Sequence, residues 1–414
     1  MEIGSWVSMP KVELHAHLNG SARSSTLLEL ARGLGEKGVI VFSDVEHVIL
    51  KGMFCPFCLL DLFNDRSLTE VFKLFDLIHV LTTDHATVTR ITKEVVEDFA
   101  AENVVYLELR TTPKRNDSKC MTKHSYMEAV IEGLRRVDAV DVNFTSTNNG
   151  VGRTVKSSLM SDTHTYNGLP RKKIYIRLLL SIDRRETLEA AMETVKLALE
   201  LKDVGVVGID LSGHPKVGDW TTFLPALKFA RDQGLRVTLH CGEVPNQEEI
   251  HAMLDFLPER IGHACCLEED AWRKLKMSKI PVCAIANTSS NTIVWQTSIT
   301  LSAAIIGGLL ESCNSYVGVE ICLTSNIRTN TISSVDVHHF ADLYRDKHPL
   351  ILCTDDMGVF STTLSKEYAI AAATFGKKEI FELARNAVEF SFAEEDVVQE
   401  LRDFFNMKRD EYGL

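Results

Sequence analysis

The chain has 414 residues, 45% hydrophobic and 25% charged, with a formal net charge of −12 and a pI near 5.7. That composition is ordinary for a globular protein, and the acidic balance argues against a duplex nucleic-acid partner. No run is long enough to span a bilayer: the best, 299–310, is short and interrupted by Ser and Gly. Residues 1–10 lack the basic start and apolar centre of a signal peptide. The ten cysteines are scattered, several inside apolar runs such as Ile321-Cys322-Leu323, which predicts reduced, buried thiols in a cytosolic protein.

Short β-rich runs alternate with longer segments of helical period. The expected strands are 12–18, 104–110, 174–182, 204–211, 236–241, 260–264, 317–323 and 350–354. Between several of them lie the helical patterns 69–81, 125–137, 186–202 and 222–234. Eight strands, apolar along most of their length, suit a closed parallel barrel buried under helices, so the expected fold is one α/β domain, a TIM (β/α)₈ barrel over 1–414. A doubly wound open sheet is the alternative, but no Gly-x-Gly-x-x-Gly follows an early strand.

Polar residues gather where these strands end. His15 and His17 close the first, Glu108 and Arg110 the second, Asp183 the third and Asp210 the fourth. His240 and Glu243 follow the fifth, His263 the sixth, Thr324-Ser325-Asn326 the seventh and Asp355-Asp356 the eighth. In a barrel those ends share one rim, and the rim carries the chemistry. His15 and His17 stand two apart, so in a strand both imidazoles face the same way and make half of a first-row metal site. His240 is the best third ligand and Asp355 the best carboxylate, although a hydrogen-bonded histidine and a helix N-cap are the plain alternatives. Glu243, past Cys241-Gly242, can turn its carboxyl into the mouth for proton transfer, and His263 can orient or deprotonate a metal-activated water.

Five stretches in order then become specific: His15-Ala-His17-Leu-Asn19-Gly20, Gly208-Ile-Asp210-Leu-Ser-Gly213, His240-Cys-Gly-Glu243, Arg260-Ile-Gly-His263 and Thr354-Asp355-Asp356. This series resembles the adenosine/AMP deaminase family over about residues 9–370. The resemblance implies a TIM barrel with one catalytic Zn²⁺ held by His15, His17, His240 and Asp355. It further implies that Glu243 protonates N1 of a purine, that His263 and Asp355 hold the attacking oxygen at C6, that Asp356 meets N7, and that the Gly213 N–H meets N3. Within the family the chain is most similar to the adenosine deaminase-like branch, which turns N6-methyl-AMP into IMP and methylamine. Asn19 stands where adenosine deaminases generally carry Asp, which makes room for a phosphate. Thr111-Thr112-Pro113-Lys114 offer hydroxyls, backbone donors and a cation. Asp183-Arg184-Arg185 is the third such feature, and His79 and Asp183, like His17, match nucleotide-contacting positions. The expected partner is thus a small purine nucleotide met by a monomer, with no nucleic acid and no membrane. A free-nucleoside adenosine deaminase, and an inactive purine-binding barrel, are the rival readings.

Two stretches break the resemblance. Residues 52–63 are dense in apolar residues where a surface connection is expected, and Cys55-Pro56-Phe57-Cys58 has no second Cys or His pair at finger-like spacing. Residues 283–318 separate Ile280-Pro281-Val282 from Val319-Glu320-Ile321, so either piece can begin the seventh strand. Both stretches read as insertions, of the kind that retained intron sequence would leave.

Overall fold

Eight parallel strands follow one another round a single sheet in chain order: β1 (Lys11–His17), β2 (Val104–Thr111), β3 (Lys173–Asp183), β4 (Val206–Ser212), β5 (Arg236–Cys241), β6 (Arg260–His263), β7 (Gly318–Ile321) and β8 (Leu350–Leu352). The computed structural model describes residues 4–50, 68–82, 84–145, 159, 165–166, 169–281 and 314–412. A doubly wound sheet requires the strand order to reverse, and here it never does, so the barrel expectation holds. The ring is nearly closed. Between β8 and β1 the join is made by the His17 N–H donating to the Asp355 carbonyl at 3.1 Å and by Glu13, whose carboxylate accepts from the Thr354 N–H and hydroxyl, both at 2.9 Å.

Every residue of β2 is buried, as are all of β3 after Lys173, because helices cover the outside and side chains fill the inside. The covering helices begin where short polar side chains satisfy the first free N–H groups. Asp84 accepts from the Thr87 N–H ahead of helix His85–Ala101, and Thr122 and Ser125 form a reciprocal capping box at Lys123–Arg135. Thr187, Asp219 and Asn246 cap Leu188–Glu200, Trp220–Asp232 and Gln247–Phe256. The barrel floor is plugged by 390–392: the Arg260 guanidinium lies 3.7 Å from the centre of the Phe392 ring and donates to the Phe390 carbonyl at 2.5 Å.

β7 settles which piece supplies the seventh strand. Gly318–Ile321 lies between β6 and β8, whereas Lys279–Pro281 pairs antiparallel with Asn314–Tyr316 in a separate two-stranded sheet. The stretch 52–63, with Cys55 and Cys58, and the stretch 283–313 lie outside the described residues. Thr324, Ser325 and Asn326 sit one step beyond the expected strand end, in helix Leu323–Arg328. Glu108 is a second correction: it points into the barrel floor, where it accepts from Arg260, Tyr106 and the Phe392 N–H, so it takes no part in the rim. Among the described residues no helix is long and apolar enough to cross a membrane.

Candidate active site

His15, His17, His240 and His263 converge at the carboxyl ends of β1, β5 and β6. The ring of His15 is 5.3 Å from His17, 4.6 Å from His240 and 4.9 Å from His263, centre to centre. Asp355, held at φ +64° just past β8, joins them. Its Oδ1 is 3.7 Å from His15 Nε2 and 3.5 Å from His17 Nε2, and its Oδ2 accepts from Ser325 Oγ at 2.7 Å. One ligand atom each from His15, His240, His263 and Asp355 lies within 4.8 Å of all the others, and His17, Asp210 and His240 form an overlapping group. The structure therefore brings together all four expected ligands and adds His263 at the same reach.

The donor set fits a divalent metal. His15 Nε2 is fully buried with no hydrogen-bond partner, while its Nδ1 meets Glu320. His240 Nδ1 likewise meets Asp210 Oδ1 at 3.0 Å. A carboxylate on Nδ1 fixes the tautomer and turns the Nε2 lone pair toward a metal. Burial, then the neighbouring Arg110 and histidines, pushes His15 well below its ordinary range, and burial does the same for His17, so both are neutral donors. Burial also opposes charge on His240, but Asp210 overrides it and holds that ring up to about 9, so a bound metal would take its place by displacing the Nε2 proton.

A cleft of about 930 Å³, counting its open mouth, lies above these side chains. Glu243 reaches it because Gly242, at φ +71°, lets the chain turn after β5. Its Oε1 stands 3.9 Å from His263 Nε2, and burial pushes its carboxyl up to about 7, where it keeps a proton near neutrality. Burial, then the neighbouring Asp355, raises Asp356 well above its ordinary value, which favours the protonated form that can donate a hydrogen bond. It packs so closely on Gly20 that a Cβ there would fall 1.6 Å from Asp356 Oδ1. Gly20→Ala is accordingly expected to displace Asp356 and cut kcat/KM by about 10²-fold, the scale of an ångström-sized misplacement. Steady-state kinetics beside a circular-dichroism spectrum would check this, and unchanged kinetics would refute it.

His17, Asn19, His79, Thr111, Thr112, Asp183 and Gly213 all line the cleft, as expected. Pro113 and Lys114 do not line it, but Lys114 Nζ donates to Thr82 Oγ1 at 3.1 Å, and Asn19 Nδ2 donates to the same oxygen at 2.8 Å. Burial, then Arg185, lowers Lys114 to about 7. Of the basic pair after β3, only Arg185 lines the cleft, where it grips Asp183 and reaches Asp76. Arg184 is instead bound in a fork–fork pair to Glu249, both bonds 2.7 Å, and Arg115 is spent on Asp117 at the surface.

Several site residues escaped the sequence reading. Phe72 and Phe75, on helix Leu68–Leu81, form an aromatic wall, with Phe72 stacked on His214 at 4.2 Å. Below the histidines lies a fully buried ionic layer in which Glu320 accepts from Arg110 (2.9 Å), Arg260 (2.6 Å) and Thr238 (3.0 Å) while touching His15. Arg110 also reaches Asp210 at 3.2 Å. The available signal was a charged residue at the inward parity of an apolar strand, as in Val319-Glu320-Ile321.

A parallel barrel whose rim gathers imidazoles, a strained aspartate and a protonated glutamic acid is the architecture of a metal-dependent hydrolase. The adenosine deaminase family pattern matches residues 10–407, and the chain belongs to that family, as a hydrolase acting on C–N bonds. It is 60% identical over 411 residues to the N6-mAMP deaminase of Arabidopsis thaliana, covering 98% of this chain and 99% of that one. The Homo sapiens N6-methyl-AMP deaminase is 35% identical over 405 residues, 96% of this chain and 93% of the human one. The crystal structure of Arabidopsis ADAL complexed with IMP superposes with a TM-score of 0.79 at 58% identity, covering 98% of this chain and 99% of that one.

Proposed function

We propose that this chain is a cytosolic zinc aminohydrolase that converts N6-methyl-AMP and water into IMP and methylamine. The reading is supported by the names of its Arabidopsis and human relatives and by the IMP bound in the Arabidopsis structure. The observation that carries the nucleotide over the nucleoside is the joining of Lys114, through Thr82, to the cleft-lining Asn19, with Arg185 lining the same cleft. Asn19 adds no negative charge there, and Lys114 and Arg185 supply positive charge for a 5′-phosphate. Thr111, Thr112, Pro113 and His79 would complete the phosphate end, with Asp183 orienting Arg185.

His15, His17, His240 and Asp355 would hold the zinc, which supplies a Lewis acid able to activate water at neutral pH. Glu243 gives its proton to N1, drawing electrons from C6. His263 and Asp355 hold the water oxygen over C6 as the O–C6 bond forms. Asp356, kept protonated, donates to N7, and the Gly213 N–H donates to N3. The C6–N bond then breaks as the departing nitrogen takes the proton that the water gave to Asp355, and the C6 hydroxyl returns its own proton to Glu243, leaving the carbonyl of IMP and free methylamine. The wall of Phe72 and Phe75 excludes water from the bound ring.

The test is kcat/KM for N6-methyl-AMP against adenosine on the full chain, with chelation and zinc replacement as the metal control. A strong preference for N6-methyl-AMP is expected, lost on chelation and restored by zinc. Preference for adenosine would favour the nucleoside reading, and binding without amine release the inactive barrel. An intact β7 between β6 and β8 supports the active form.

The phosphate end adds a pH dependence. Lys114 is cationic below about 7 and neutral above it, so the free enzyme loses a phosphate-attracting charge as pH rises through that value. KM for N6-methyl-AMP is expected to climb from about pH 7 upward, by at most about tenfold per pH unit. Any change brought about by Glu243, which titrates in the same range, is common to both substrates, so the rise is read as the ratio of KM for N6-methyl-AMP to KM for adenosine. Lys114→Met removes the rise, and a ratio that ignores pH in the unmodified enzyme would remove Lys114 from phosphate binding.

A further inference from the structure

His263 faces the reacting centre with Nε2, and which proton sits on its ring decides whether it can remove a proton or can only donate a hydrogen bond. Three contacts behind it answer the question. The Phe340 backbone N–H points at His338 Nδ1 at 3.2 Å. A backbone amide is always a donor, so that Nδ1 is an acceptor. Burial, then the stacked His339, pushes His338 down to about 2, so the ring is neutral and its single proton is on Nε2. His338 Nε2 therefore donates to Asn326 Oδ1, 3.2 Å away. With its oxygen so engaged, Asn326 turns its amide Nδ2 toward His263 Nδ1 at 2.9 Å and donates to it. Reversing the amide would set two N–H groups against each other, either at Asn326 and His338 or at His338 and Phe340.

We infer that Asn326 and His338 are positioning residues that lock neutral His263 in the Nε2–H tautomer, so that it meets the attacking oxygen as a hydrogen-bond donor and does not serve as the base. His263 gains and loses no proton in the step; the proton that the water sheds passes to the Asp355 carboxylate, which holds the same oxygen. It stabilises negative charge on the oxygen as that atom bonds to C6. A second contact from the same segment supports the design: His339 Nε2 donates to the His263 carbonyl at 2.8 Å and holds this residue at φ +67°, a conformation a side-chain-bearing residue rarely adopts. Two adjacent histidines thus fix one residue, His338 through its ring and His339 through its backbone.

The inference rests on the deaminase reading above, but its primary test uses no substrate, so the two can fail separately. The full chain, zinc-loaded and carrying ¹⁵N-labelled histidine, is examined by long-range ¹H–¹⁵N correlation, with His263 assigned by the signal lost in His263→Gln. The expected spectrum has a protonated Nε2 and a bare Nδ1. A protonated Nδ1 would overturn the proposal outright. Asn326→Asp offers only acceptors, so it should move the proton to Nδ1 and lower kcat by about 10²-fold, the cost of one lost donor to a developing oxyanion. KM for N6-methyl-AMP should stay unchanged. A moved proton with undiminished kcat would overturn the donor role. Should Asn326→Asp not fold, His338→Phe serves: it frees the amide, mixes the two tautomers and lowers kcat in proportion, whereas a single unchanged tautomer at full kcat would exclude the relay.

Discussion

Glu243→Gln is expected to lower turnover of N6-methyl-AMP by about 10²–10⁴-fold, the usual worth of a positioned general acid. The substitution keeps size and shape and changes one property: an amide cannot surrender a proton to N1. Its surroundings explain why the acid form is available. Burial raises Glu243 to about 7 against the pull of His240, while Asp355 adds repulsion. A carboxyl left in the ordinary range would be ionised at neutral pH and would have nothing to give. Because the amide still hydrogen-bonds the ring edge, IMP affinity and zinc content should change little. Single-turnover kinetics, calorimetric titration with IMP and metal analysis separate the three quantities. Turnover within about threefold of the unmodified enzyme, far short of that range, would remove Glu243 from the mechanism.

How much of this was legible beforehand depends on which physical signal each residue leaves in the chain. His15 and His17 were legible because strand alternation alone puts residues two apart on one face, and their rings do meet. The eight strands were legible because long apolar runs separated by helical periods have few other solutions. Boundaries slipped where backbone detail decided them: Val204 belongs to a 3₁₀ turn before Val206, and Ser325 to a helix after β7. Arg184 and Arg185 are adjacent and chemically alike, yet one is taken by Glu249 and the other faces the cleft, a distinction set by helix Gln247–Phe256 and absent from local sequence. Phe72 and Phe75 read as an ordinary helical face, and only the packing of that helix over the mouth shows them to be wall. The pairing of His338 with Asn326 joins segments that no periodicity connects.

The buried layer under the metal-binding cluster is the other place where a single change should have a large effect. Glu320 is wholly inaccessible and its two oxygens serve Arg110, Arg260, Thr238 and His15 at once. Glu320→Ala leaves both guanidinium groups in the barrel, Arg110 with Asp210 and Arg260 with Glu108 as their remaining carboxylates. Removing one member of a buried ion network strands charge that water cannot reach, so a loss of about 3–5 kcal/mol in unfolding free energy is expected. The same deletion takes the carboxylate from His15 Nδ1, and metal affinity should fall by about 10–100-fold, as for other outer partners of ligating histidines. The two effects are measured apart: urea unfolding of the metal-free protein reports the first, and competition with a chromophoric chelator the second. Glu320→Gln keeps an acceptor for one arginine and should lie between the extremes on both scales. A change below about 1 kcal/mol for the alanine variant, the range of an exposed ion pair, would mean that the barrel interior admits water freely. The histidines above it would then owe their orientation to the strands alone.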